Sequence, residues 1–151
     1  MRYSLANYRL SVTIPSSLAS QLGIEELSIG GEGSYTESIS ISYTNDLFTT
    51  TSDATGSWVH EKNLARNGTV TVSINQMSKQ IARFKRLCNL FYSSTEEGDE
   101  DGLTMVLTDN TNQVVATCVD CYITRIPEQS FAATTSNQSW TFTCGKITFN
   151  W

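Results

Sequence analysis

His60 is the only histidine in the chain, so any arrangement that uses imidazole as a general base must use this residue. It falls in the polar stretch 53–63, which reads as a loop, and neither a Gly-x-Ser-x-Gly elbow nor a glycine-rich oxyanion loop accompanies it. A solvated histidine is therefore the expectation. The acids are no more suggestive. Glycoside hydrolysis needs two carboxyls held across a cleft, whereas Glu96, Glu97, Asp99, Glu100 and Asp101 crowd into one loop. Gly30-Gly31-Glu32-Gly33 lacks the following Lys-Ser/Thr of a phosphate-cradling loop. Cys118 and Cys121 have the local spacing of a zinc knuckle, but no second such pair exists to complete four ligands. The segment 114–126 reads as a strand, in which positions i and i+3 face opposite sides. Cys88, Cys118, Cys121 and Cys144 are thus expected to be buried thiols, with no metal, no cofactor and no catalytic role.

Charge narrows the partners. The net charge is −5 with only ten Lys and Arg, which disfavours a protein that wraps nucleic acid, because that affinity comes from cations neutralising phosphates. Four of those cations, Lys79, Arg83, Lys85 and Arg86, lie in one short stretch, where a solvated face or an ion-pair partner is the ordinary role. Residues 1–14 lack the cationic start and apolar block of a signal peptide, and no apolar run approaches the ~20 residues of a membrane span. The expectation is one domain over 1–151, made in a cytoplasm, with no membrane partner. In that setting the sequons Asn67-Gly68-Thr69 and Asn137-Gln138-Ser139 carry little weight.

The elements that hold these residues are mostly strands. Tyr8, Leu10, Val12 and Ile14 alternate with Arg9, Ser11 and Thr13 up to Pro15, the period of a half-buried strand. Residues 16–27 have room for a short helical turn. Next, Tyr35, Ile39, Ile41 and Tyr43 share one face with Glu37, while Thr36, Ser38, Ser40, Ser42 and Thr44 form a small-hydroxyl face. Asn45-Asp46 is a turn pair, so Leu47–Thr51 reads as the return arm of a hairpin, running into a polar loop with Gly56 and Trp58. After Asn67-Gly68, Val70, Val72 and Ile74 alternate with Thr69, Thr71 and Ser73. Ile74, Met77, Ile81, Phe84, Cys88 and Phe91 then recur at helical spacing, with Asn75 and Ser78 as candidate N-caps and Lys79, Arg83 and Arg86 on the opposite side. The remainder is again β: 103–109, 113–126, and a last strand in which Trp140, Phe142 and Cys144 hold even positions but Ile147, Phe149 and Trp151 odd ones. That parity change at Gly145 predicts a β-bulge.

The run Ile39 to Thr49, then Asp53-Ala54-Thr55-Gly56, then Asn67 to Ile74, resembles the tail tube proteins of contractile-tailed phages. The strands Met105–Asp109, Val114–Glu128 and Trp140–Ile147 follow in the same order, so the resemblance covers roughly 8–149. It implies a mostly β subunit with one central helix, sandwich- or barrel-like, whose inner sheet continues across subunits in a hexameric ring. Rings would stack into a conduit for genome delivery inside a contractile sheath. The partners implied are further copies of the chain, the sheath, baseplate and tail-terminator proteins, and DNA that passes without specific binding. The location implied is the virion tail, assembled in the host cytoplasm. On that reading Thr36, Ser38, Ser40, Ser42 and Thr44 face the lumen. Asp53, Thr55, Gly56 and Trp58 form an inter-ring loop, and Lys79, Arg83 and Arg86 an outer basic face. The tube of a type VI secretion or pyocin-like device shares this physics, and a β-sandwich binding module is the remaining alternative. Such a module calls for aromatics on an exposed face, whereas Trp140, Phe142, Phe149 and Trp151 alternate like core.

Overall fold

The computed structural model describes residues 3–15, 23, 26–30, 35–93 and 102–150. Nine strands are present there: β1 (Arg9–Thr13), β2 (Glu26–Gly30), β3 (Thr36–Tyr43), β4 (Phe48–Ser52), β5 (Trp58–Lys62), β6 (Gly68–Asn75), β7 (Leu103–Thr108), β8 (Val114–Ile123) and β9 (Asn137–Phe149). One α-helix, α1 (Lys79–Ser93), joins them, and a short 3-10 turn, Leu5–Asn7, precedes β1. Seven strands form one antiparallel sheet in the order β2-β1-β7-β8-β9-β6-β3, and β4 pairs only with β5.

Alternation places one face of every sheet strand in a common core. Leu10, Val12, Leu27, Ile29, Val70, Val72, Met105, Trp140 and Phe142 are fully buried or nearly so. The helix closes this core. Phe84 stacks on Trp140 at a centroid distance of 5.4 Å and tilts against Phe142 at 5.8 Å. The same helix also touches the edge strand β2. A sheet whose inner strand β9 and far edge β2 both meet one helix must curl around it, as a half-barrel does.

The helix begins later than the apolar spacing predicts. Ile74 is the last core residue of β6, and Met77 is 66% exposed in the intervening turn. Asn75 closes that turn by accepting the Met77 N–H at 3.0 Å, and Ser78 caps the helix by accepting the Gln80 N–H at 3.3 Å. Both candidate caps are therefore used, in series. From Ile81 onward the stripe holds, with Ile81, Phe84 and Cys88 buried, Phe91 half-buried and Leu87 joining them.

Three other expectations change. β4 is not the return arm of β3, because β3 takes β6 as its neighbour and β4 folds onto β5 as a separate ribbon. His60 accordingly sits on a strand rather than in a loop. Tyr35, which alternation groups with Ile39, Ile41 and Tyr43, is 66% exposed with φ +56°, so the chain turns outward just before β3. The parity change in β9 is present, but it is not a bulge against β8. The two strands stay in register across it, Cys118 opposite Ile147 and Cys121 opposite Cys144, and both turn two successive residues outward, Val119–Asp120 and Gly145–Lys146. The extra residue appears against β7, where Leu103 faces Cys121 but Met105 faces Cys118. This shared kink, with Asp120 at φ +60°, buries Cys118 and Cys121 together despite their spacing.

Residues 16–22, the Gly31–Gly33 portion of the glycine cluster, the acidic run 96–101 and Trp151 lie outside the described residues.

Candidate assembly surfaces

The outward face of β3 carries Ser38, Ser40 and Ser42, and it does not end with that strand. Register sets Ser38 opposite Ser73, Ser40 opposite Thr71 and Ser42 opposite Thr69. The next strand continues the pattern, Ser73 opposite Ser139, Thr71 opposite Thr141 and Thr69 opposite Thr143. Residues directly opposite in an antiparallel pair share a face, so small hydroxyls tile one side of three neighbouring strands. Ser42 and Thr69 hydroxyls meet at 3.4 Å, and Thr143 reaches Thr124 at 3.1 Å. At one end Glu37 Oε2 accepts from Ser73 Oγ at 2.9 Å and from Asn137 Nδ2 at 2.6 Å. No Lys or Arg lies within Thr36–Tyr43, Gly68–Asn75 or 137–145.

Thr36 departs from its assigned place. A register shift between Thr36 and Ser38 sets Thr36 opposite Ile74, a core residue, and so on the core side of the sheet rather than with the serines. Thr44, past the strand end, is exposed and joins the chain to Asn67 through its backbone N–H. On the reverse side Ile39 and Ile41 pack against the core, and Tyr43 is partly exposed, donating its hydroxyl to the Ile147 carbonyl at 3.0 Å.

The β4–β5 ribbon is exposed at every strand position. A two-stranded ribbon alone is marginal in water, yet this one presents Phe48, Trp58 and Val59 to solvent, flanked by Leu47 and Leu64. Its tip is built by Asp53, whose Oδ1 accepts from Thr55 N at 2.9 Å, Thr55 Oγ1 at 2.7 Å and Ser57 N at 2.9 Å. Gly56 takes φ +89°, a conformation that favours glycine. Asp53, Thr55 and Gly56 therefore form one turn, and Trp58 opens the strand after it. The β7–β8 turn repeats the device, with Asp109 accepting from Thr111 N and Oγ1 and from Gln113 N. In both turns the side-chain hydrogen bond from the threonine, ahead of the backbone ones, holds the aspartate below its usual pKa. The recurring Asp-x-Thr spacing was the available signal for this second turn.

Lys79, Arg83 and Arg86 all face solvent on the side of α1 away from the core, and none makes an ion pair among the described residues. The acidic run 96–101, a candidate ion-pair partner for them, lies outside those residues.

Among the described residues no catalytic grouping emerges. His60 Nδ1 meets only the Thr50 hydroxyl, at 2.8 Å. Among the described residues no three His, Cys, Asp or Glu side chains converge as metal ligands. The four thiols are buried and unbridged, with Cys121 Sγ 2.8 Å from Cys144 Sγ. A bond to Cys144 and then burial push the Cys118 thiol far up. The Cys118 contact favours the Cys144 thiolate, but the bond from Cys121 and burial outweigh it and push Cys144 up to about 12.

A curled sheet filled by one helix, with a hydroxyl-lined face and a ribbon left exposed among the described residues, defines a structural β subunit. The family described as Bacteriophage PhiTE tail tube protein matches residues 6–150, and the chain belongs to it. No curated protein matches the sequence. Among solved structures, the fold is similar to a chain of the PVC sheath-tube complex of an extracellular contractile injection system in its extended state. That likeness has a TM-score of 0.55 at 18% identity, covering 99% of this chain and 93% of that chain. It is also similar to a chain of the PVC sheath/tube terminator (TM-score 0.55, 13% identity, 100% and 98% covered) and to one of the anti-feeding prophage tube-terminating cap (0.52, 15%, 99% and 93%). At these identities the likeness is one of fold.

Proposed function

We propose that this tail tube chain acts as a single 1–151 domain, six copies closing into a ring and rings stacking into the conduit through which a genome is delivered. The observation that carries this reading is the hydroxyl face backed by core. Ser38, Ser40, Ser42, Thr69, Thr71, Ser73, Ser139, Thr141 and Thr143 make a wall of neutral groups. A bore for DNA must not retain it, and each cation on the wall would add a phosphate contact. Ring closure would also pair the terminal strands β2 and β3, each of which has one strand neighbour among the described residues.

In this arrangement Ser38, Ser40, Ser42 and Thr44 face the lumen. The ribbon tip at Asp53, Thr55 and Gly56, with Trp58, contacts the next ring. Lys79, Arg83 and Arg86 face outward to a contractile sheath, and baseplate and terminator proteins close the ends. The chain assembles in the host cytoplasm into the virion tail and performs no catalysis. The PVC and anti-feeding prophage likenesses favour a second reading, the tube of a related injection device, built on the same geometry.

Cryo-electron microscopy of assembled tubes tests the proposal. Sixfold rings with Ser40 and Thr71 on the bore are expected. Those residues on the outer wall, or Arg83 in the bore, would overturn it.

A further inference from the structure

Three of the four cysteines meet in one place. Cys118, Cys121 and Cys144 are fully buried or nearly so on the core side of the β8–β9 kink. Cys121 and Cys144 stand directly opposite each other in the antiparallel register, with their sulfurs 2.8 Å apart. Paired residues of such strands have Cα atoms ~4.5–5.5 Å apart, inside the ~4.4–6.8 Å that a disulfide spans. Bond formation therefore needs the two sulfurs to close by less than about 1 Å, with no change of register. Cys118 also reaches Cys144 through its thiol, but its backbone faces Ile147, three residues further along β9. At ~3.3 Å per residue, that offset puts the two backbones beyond bridging distance. Cys88 lies on α1, where burial raises its thiol.

The kink that gathers these sulfurs is tightly specified. Asp120 takes φ +60°, and Gly102 packs so closely on Asp120 that a side chain there would collide with its carboxylate and backbone. Without the two outward residues Val119 and Asp120 between them, Cys118 and Cys121 would face opposite sides of the sheet.

We propose that Cys121 and Cys144 are a site of oxidative modification, a pair that a peroxide converts into a disulfide tying β8 to β9 within one subunit. The chemistry rests on the fold alone. Its timing rests on the tail-tube reading, in which a chain made in a reducing cytoplasm later meets oxidants outside the cell. The Cys118 contact favours the Cys144 thiolate, so Cys144 attacks first, although the bond from Cys121 and burial keep that thiolate scarce and the step slow. Its sulfur takes one peroxide oxygen, the O–O bond breaks, and a sulfenic acid forms while the other oxygen leaves as water with the thiol proton. The Cys121 sulfur then attacks the sulfenic sulfur, and the displaced hydroxyl leaves as water with the second thiol proton. Two thiols and one hydrogen peroxide thus give one disulfide and two waters, the peroxide accepting both electrons. The bond joins residues 23 apart in sequence, and a cross-link of that span lowers the unfolded population roughly a hundredfold.

Thiol counting and mass spectrometry of the purified chain test this. Chain kept reduced should yield four maleimide-reactive thiols once denatured. After prolonged exposure to hydrogen peroxide it should yield two, and before labelling it should be ~2 Da lighter. Cleavage before Asp120 separates Cys118 from Cys121 and should map the bond to Cys121 and Cys144. Cys88→Ala should behave as the wild type, and Cys144→Ala should gain no bond; the wild-type mass decides even where a variant fails to fold. Four thiols after peroxide, thiols lost to sulfinic acid without a bond, a bond that includes Cys88 or Cys118, or bonded dimers would overturn the assignment. In guanidinium the oxidised chain should resist unfolding and lose that resistance on reduction, and equal resistance in the two forms would overturn its stabilising role. Chain alkylated inside host cells before lysis should carry four thiols, and two would overturn the timing while leaving the bond. A chain that forms the bond but builds no tubes overturns the tail-tube reading alone.

Discussion

Asp53 and Asp109 show how much of an exposed turn can rest on one carboxylate. Each accepts three bonds that only its ionised form can accept fully, which lowers both pKa values from 3.8. The unfolded chain titrates near the ordinary value. The turns are therefore fully stabilised above about pH 4, and that contribution is lost as pH falls through the lowered folded values. An NMR pH titration should give Asp53 a midpoint below 3.8. Asp53→Ala should abolish the matching acid transition of ribbon amides while leaving the Asp109 turn unaffected, and a midpoint at or above the reference value would contradict the assignment. The thiols make a second prediction at this scale. Cys88, Cys118, Cys121 and Cys144 are all buried, with the first two and the last pushed above their ordinary pKa. Since the thiolate is the reacting species, a maleimide at pH 8 should label none in the native protein and all four after denaturation, and native labelling at full stoichiometry would refute this.

At the scale of the element, what the sequence disclosed is what depends on local periodicity. Leu10 and Val12 in β1, the alternation of β6 and the stripe from Ile81 to Phe91 follow from the strand and helix periods alone. What escaped it depends on partners distant in sequence. Asn45-Asp46 reads as a hairpin turn, yet β3 pairs across the ribbon with β6, a choice made by Ile39 and Ile41 meeting Val72 and Val70. Thr36 was misplaced for a related reason, because a bulge against β6 shifts parity without any glycine or proline to mark it. The helix start was obscured because Ile74, Met77 and Ile81 fit a helical stripe although a strand end and a turn hold the first two. The helix faces can be tested by urea denaturation. Phe84 is fully buried between Trp140 and Phe142, so Phe84→Ala should cost about 3–5 kcal/mol. Arg83 is exposed and unpaired among the described residues, so Arg83→Ala should stay within about 0.5 kcal/mol. The reverse order would mean that the faces are inverted.

For the whole molecule, the decisive contrast is between the two sides of one sheet. The side toward α1 is packed with Trp140, Phe142, Val70, Val72 and their neighbours, and the side away from it is tiled with hydroxyls. In an isolated subunit that outer side is a solvent face, and nothing in folding requires its portion over β3, β6 and residues 137–145 to lack cations, since Arg9 and Lys146 stand exposed elsewhere on the sheet. The proposed bore would supply the requirement, since every added phosphate contact raises retention and makes passage depend on salt. Ser40 is exposed in the middle of this face, opposite Thr71. Ser40→Arg should therefore leave subunit stability and tube assembly unchanged while adding one cation per subunit to the wall. DNA release from virions carrying the variant should slow, most strongly at low salt, and recover as salt rises. Ala82→Arg, on the exposed side of α1, adds the same charge to the outer surface and should leave release unchanged. If the two variants release DNA at equal rates at every salt concentration, the hydroxyl face is not the bore, and its lack of cations has another origin.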